Sequence, residues 1–230
     1  MNRPYIIMAC VLILCCSYQS KISDINIKTE IVSWWNSPDI DDVIITDIAR
    51  EKTTAKVSAM VIVLDDTLRE FIYKFEKFQK SWKITEGPDE KFRSMLSVYV
   101  DGLKADKLKT NMHTLQLAVE DFSTFTEGKY PVDFDATVRD ICPQCKLGNS
   151  SATIQNILPT NIRNPFDREI SAVYSSKRHP WDWSSDYIGK AVYFPMGIKN
   201  NYATAFIIKG STDEGFLSWI IKSSNVKSLD

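Results

Sequence analysis

An α+β fold is predicted, with strands and helices occupying separate stretches of the chain, and three observations predict it. Residues 42–86 alternate apolar and polar side chains with a period of two. Residues 89–127 place apolar side chains at steps of three and four, the period of a helix. Residues 191–209 return to strand composition: Ala191-Val192-Tyr193-Phe194 and Ala203 to Lys209 flank a reversal built on Pro195, Gly197, Asn200 and Asn201. The order is therefore an N-terminal antiparallel β meander with a helix, then a long helix leading into an antiparallel sheet.

The composition narrows the function classes. In 230 residues, 28 Lys and Arg face 29 Asp and Glu. Binding to nucleic acid or anionic lipid by charge needs a clustered basic excess, and this balance supplies none. A hydrophobic share of 44% with 25% charged residues is ordinary for a globular chain, unlike a disordered or polytopic one. Two His and five Cys leave little material for a metalloenzyme, so neither a metal nor a cofactor is expected.

Residues 1–15 read as a signal peptide. Arg3 gives a short positive start, and Ile6 to Leu14 is an unbroken run of nine apolar residues. A bilayer core of about 30 Å needs about 20 helical residues, so the run suits the core of a secretory signal instead. Residues 16–86 form the next expected module. Ile22 to Trp35 reads as a helix covering one face of the meander, stopped by Ser37-Pro38. Val43, Ile45 and Asp47 are expected on one face of the first strand, and Ile44, Thr46 and Ile48 on the other. The second strand sets Ala55, Val57, Ala59, Val61 and Val63 on a single face. Leu64-Asp65-Asp66-Thr67 forms a tight reversal. Phe71, Tyr73 and Phe75 share the next face, and Trp82-Lys83-Ile84 closes the sheet before Gly87-Pro88.

Residues 87–230 make the second expected domain. The helical stripe is read as Phe92, Leu96, Tyr99 and Leu103, then Leu108, Met112, Leu115, Val119 and Phe122, with a kink or break at Gly102. Asp106, Lys107 and Lys109 are solvated at that seam, and His113 lies off the stripe, exposed. Gly128 ends the helix and Pro131 prevents its resumption. Asn164-Pro165 initiates a turn. Phe206, Ile208, Leu217, Ile220 and Ile221 are expected to fill the interface between sheet and helix.

Two places could carry chemistry. Cys142-Pro-Gln-Cys145 could be a redox motif, half a zinc site or a local disulfide. The flanks lack a βαβ pattern, and His113 and His179 are poorly placed as further ligands, so a bridge or two inert thiols is expected. Trp181 and Trp183 lie in the most aromatic loop; they either form an interface or cap the sheet. No nucleophile elbow, phosphate loop or zinc-protease pattern occurs in the sequence, which leaves no positive case for an enzyme.

Three resemblances sharpen these readings. Ile13-Leu14-Cys15-Cys16 followed by Ser17 resembles a bacterial lipoprotein signal, which implies lipid attachment at Cys16, with Cys15 as the alternative. Thr54 to Ser58 and Phe75 to Ile84, ending in Trp-Lys-Ile, resemble the small cystatin-like domains of exported lipoproteins. The third resemblance runs through residues 107–215. Asn111 to Phe122, then Gly128-Lys-Tyr-Pro131, Asn164-Pro-Phe166, Gly189 to Pro195 and Ile208-Lys-Gly210 resemble, in this order, type IV pilin-like proteins, nearest the major pseudopilins of type II secretion. That likeness implies a pilin-like head on a long helix. The pilin leader and its long apolar helix are missing from the sequence, so polymerisation as a standard pilin is not implied. Pseudopilin calcium loops find only Asp213 and Glu214 here, too few for the six to eight oxygens calcium takes.

Together these readings imply a non-enzymatic, lipid-anchored envelope protein. Its folded part would be periplasmic, and its partners would be envelope or secretion-apparatus proteins and not nucleic acid. The alternative is a ligand- or glycan-binding protein using a pocket in the N-terminal module or the Trp181/Trp183 loop.

Overall fold

The computed structural model describes residues 22–146 and 148–225. The signal segment and the lipidation candidates Cys15 and Cys16 lie outside the described residues. The protein is α+β and divides into two compact units, the first ending at Val100 and the second beginning at Asp101.

The N-terminal unit opens with helix α1 (Asp24–Trp35). Ser23 caps it by accepting a hydrogen bond from the Asn26 amide at 3.2 Å. Asn36, left-handed at φ 49°, closes it with its N–H on the Val32 carbonyl. Ile27, Ile31 and Trp35, four residues apart, form the buried stripe. Strands β1 (Ile40–Arg50), β2 (Thr54–Val63), β3 (Asp66–Phe78) and β4 (Ser81–Glu86) follow as an antiparallel meander in sequential order. Leu64 and Asp65 both take positive φ at the β2–β3 turn, the geometry that matches the twist of a tight hairpin.

Alternation decides which face of this sheet is covered. Val57, Ala59, Val61 and Val63 are buried, as are Phe71, Tyr73 and Phe75. Strand β1 departs from simple alternation. Thr46 is an extra residue between the pairs Ile45–Ala59 and Asp47–Ser58, so Ile48 pairs with Val57 on the covered face. A second extra residue, Asp41, sits between the pairs Ile40–Val63 and Asp42–Ile62. The expectation that placed Ile48 opposite Val43 and Ile45 fails because a bulge reverses facing, as any one-residue slip does.

Helix α2 (Glu90–Phe125) continues through Gly102, so the expected break there does not occur. A Cβ on Gly102 would meet nothing within 4 Å. In the first unit its stripe is Phe92, Leu96 and Val100; Tyr99, expected on the stripe, is exposed. A uniform step of four carries the stripe to Val100, where mixed steps had pointed to Tyr99. Trp35, Phe71 and Phe92 form an edge-to-face trio with centroids 5.1 to 6.1 Å apart. The Trp35 indole N–H donates to the Tyr73 hydroxyl at 2.8 Å, and burial pushes that phenol's pKa up.

In the C-terminal unit, Leu108, Met112, Leu115, Val119 and Phe122 are fully buried along α2, as the spacing predicts. The helix ends at consecutive left-handed residues, Glu127 and Gly128, and the Gly128 amide closes back on the Ser123 carbonyl. Strand β5 (Tyr130–Pro131), helices α3 (Val138–Ile141) and α4 (Ile154–Ile157), and strand β6 (Val173–Ser175) lead to β7 (Ala191–Met196). Strands β8 (Tyr202–Ala203), β9 (Ala205–Thr212) and β10 (Gly215–Lys222) complete the chain. The main sheet runs β10-β9-β7-β6, while β5 pairs with β8. Its three long strands are antiparallel; β6, a three-residue edge, joins β7 in parallel, a departure from the expected antiparallel sheet.

This sheet is buried on both faces. The α2 face holds Tyr193, Phe206, Ile208, Leu217 and Ile221. Val192, Phe194, Ile207 and Ile220 lie on the other, packed around Tyr187. Ile220 therefore leaves the helix interface in which it was expected, because neighbours on a strand point to opposite faces. Gly210 permits the close approach of the helix: a Cβ there would sit 2.8 Å from Leu108 and Met112 side-chain atoms.

Candidate functional site

The second face of the C-terminal sheet is closed by the connection between β6 and β7. A short 3-10 turn, Ser185–Tyr187, capped by the Ser184 hydroxyl, drives Tyr187 onto that face. Its ring lies 6.3 Å from Phe194 and 6.0 Å from Phe216, and its hydroxyl shares a 2.7 Å hydrogen bond with Ser176 Oγ. Gly189, at φ 73°, then turns the chain into β7 directly over Asn164. Asn164 is fully buried; its Oδ1 accepts from the Phe166 and Asp167 amides, and its Nδ2 donates to the Ile188 carbonyl. The expected Asn-Pro turn is thus also the support of the β6–β7 connection.

Trp181 and Trp183 sit on the rim of this face, 49% and 40% exposed. They neither cap the sheet entirely nor hang free. The Lys209 ammonium lies 3.3 Å from the centre of the Trp181 ring and 4.8 Å from that of Phe216. The Trp183 indole N–H donates to Ser211 Oγ at 2.8 Å. Both indoles are therefore held in place from β9 while large parts of them face solvent. Lys209 itself is only 3% exposed. Burial, reinforced by the like charge of Lys222, holds its pKa down to about 8.

Lys209 was legible in sequence as a strand residue, not as a buried ammonium. The run Ala205 to Gly210 is buried on both sides, and a lysine survives there because aromatic faces replace its water. The signal that could have found it is a lone cation in a strand with no polar alternation.

The structure joins Cys142 and Cys145 in a disulfide across the turn that follows α3. Cys142 is buried, Cys145 half-buried, and the Lys129 ammonium stands 3.9 Å from Cys142 Sγ. Ligand atoms of Glu127, Cys142 and Cys145 lie within 4.8 Å of one another. With both sulfurs bonded to each other, that trio offers an incoming cation a single carboxylate, not a thiolate site. Asp213 and Glu214 form the β9–β10 turn, where the Glu214 amide donates to Thr212 Oγ1, and both are exposed. His113 is exposed, its ring 4.7 Å from that of Trp219. The structure brings Trp181 and Trp183 together on one rim, both held from β9.

Among the described residues, no helix is long and apolar enough to cross a membrane. No family model matches the chain, and neither a curated protein nor a solved structure matches it.

Proposed function

We propose that the protein is a non-enzymatic contact protein of the cell envelope, held to the membrane by lipid on Cys16 (alternatively Cys15), with a pilin-like C-terminal unit as its contact head. The observation that carries this reading is the rim of Trp181 and Trp183, fixed from below by Lys209 and Ser211 yet widely exposed. Immobilised indoles with free surface suit a protein interface, because little side-chain freedom remains to be lost on binding. The ordered motifs from Asn111 to Gly210 support the further step to a secretion or pilus-related apparatus.

Cross-linking of the intact protein in its own envelope, followed by mass spectrometry, tests this reading. Filament or secretion-apparatus subunits are expected, and a Trp181→Ala/Trp183→Ala variant should lose them while remaining folded. Recovery of no such component would overturn the apparatus assignment. Retention of the same partners by the double variant would overturn the role of the rim. Intact mass of the envelope form reads lipidation at Cys16 directly.

The same exposed indoles favour a second reading, stacking on a glycan. Binding of oligosaccharides that survives the double variant would remove it.

A further inference from the structure

The disulfide joins cysteines only three positions apart, and so short a loop removes little freedom from the unfolded chain. The turn it spans is already held without it. The Cys145 amide donates to the Cys142 carbonyl at 3.0 Å, and the Cys142 amide to the Val138 carbonyl at 2.8 Å. Helix α3 has its own capping box, Thr137 with Asp140. The Val138 and Arg139 amides reach the Ala152 and Ser150 carbonyls. The bond between the sulfurs can therefore break while the backbone around them stays in place.

The two sulfurs are not equivalent. Cys142 is 1% exposed whereas Cys145 is half-buried, so a reagent from solvent meets Cys145 first. The Lys129 ammonium stands 3.9 Å from Cys142 Sγ and is steadied 5.4 Å from the centre of the Tyr202 ring. An ammonium in that position stabilises negative charge on the Cys142 sulfur, the charge a departing thiolate carries. Glu127, exposed, brings a carboxylate within 4.8 Å of the same sulfurs and acts in the opposite sense.

We propose that this disulfide is a site of thiol–disulfide exchange, at which a low-molecular-weight thiol is captured on Cys145. The thiolate of the incoming molecule attacks Cys145 Sγ and forms the new sulfur–sulfur bond there. The Cys142–Cys145 bond breaks, and its electron pair leaves on Cys142 as a thiolate facing Lys129. One disulfide replaces another, so no further oxidant or reductant is needed. Return of the Cys142 thiolate to Cys145 expels the thiol again, which makes the capture reversible. The reaction is stoichiometric and involves neither Trp181 nor Trp183, so its failure would leave the contact reading standing.

Treatment of the oxidised full chain with glutathione, followed by acid quench, alkylation and fragment-ion mapping, tests the proposal. Glutathione is expected on Cys145 and the alkylating group on Cys142, with the amide NMR spectrum elsewhere unchanged. Lys129→Gln should slow the opening about fivefold, the worth of a charge pair about 4 Å apart in water. Glu127→Gln should speed it. Cys142→Ser cannot expel a captured thiol, so its Cys145 should retain glutathione supplied as the disulfide. No opening by glutathione, glutathione on Cys142 instead of Cys145, or a rate unaltered by Lys129→Gln would overturn the proposal. Unfolding of the C-terminal unit on reduction would overturn it as well, since the bridge would then be a brace.

Discussion

The two units solve the same problem, a helix over a four-stranded sheet, with opposite treatments of the sheet's far face. In the N-terminal unit the far face is left partly to solvent: Ile44 and Ile72 are exposed while Val57, Tyr73 and Phe75 on the covered face are not. In the C-terminal unit Tyr187 and the β6–β7 connection bury the far face as well, so consecutive residues Phe206, Ile207 and Ile208 are all inaccessible. One-sided burial writes a period of two into the sequence, whereas two-sided burial erases it. The first unit was therefore the easier to read, and the second was the one in which an unexpected buried charge could hide.

Substitutions of neighbouring residues break this comparison most directly. Ile207→Ala and Ile208→Ala should each cost about 3 kcal/mol, since both leave cavities in closed cores. Urea unfolding resolved by amide hydrogen exchange in β7–β10 checks this, and a large difference between the two would show that the far face is open. Next in size, Tyr73→Phe in the N-terminal unit should cost about 1.5 kcal/mol, because the buried Trp35 N–H loses its acceptor. Exchange in β2 and β3 reads that loss.

Lys209→Met should stabilise the C-terminal unit by about 1 kcal/mol at pH 7, the burial cost of the charge exceeding its attraction to Trp181. The effect has a defined pH window. Below pH 8 the folded and unfolded chains both hold the proton, and the cost of the buried charge is present in full. Between about 8 and the ordinary 10.5 the unfolded chain holds more protons, so this group makes the native protein more stable as pH rises. The advantage of the variant should therefore shrink through that window and vanish above it; an advantage independent of pH would mean that the ammonium is well solvated. Ile72→Ala, the smallest effect, should stay within about 0.5 kcal/mol, as befits an exposed position.

Much of the fold was legible because periodicity reports burial. The covering helix, the Leu64–Asp65 reversal, the stripe from Leu108 to Phe122 and the glycine stop at Gly128 all follow from local chemistry. What escaped was set by backbone or tertiary geometry. The extra residue Thr46 turns Ile48 inward, and bulges leave no mark on composition. Ile220 and Ile221 look alike in sequence and separate once a strand places them on opposite faces. Strand β6 is three residues long, too short for any pattern, and its parallel pairing depends on the path of the chain around Tyr187. At the candidate site the two tryptophans were legible as residues; their support from Lys209 and Ser211 was not.

The irregularity of β1 has a further bearing, on how the molecule behaves in a crowd. A straight outer strand offers its unpaired amides and carbonyls to any neighbour and invites sheets to join edge to edge. Strand β1 is one of the two outer strands of the N-terminal sheet, and it is interrupted twice, at Asp41 and Thr46. Asp41 is tied by its carboxylate to the Asp65 amide, Thr46 by its hydroxyl to Glu70. A strand approaching from another molecule would fall out of step at each interruption and meet acidic side chains at Asp41, Asp42 and Asp47. On the β1 side, the sheet is thereby guarded against edge-to-edge pairing with a copy of itself.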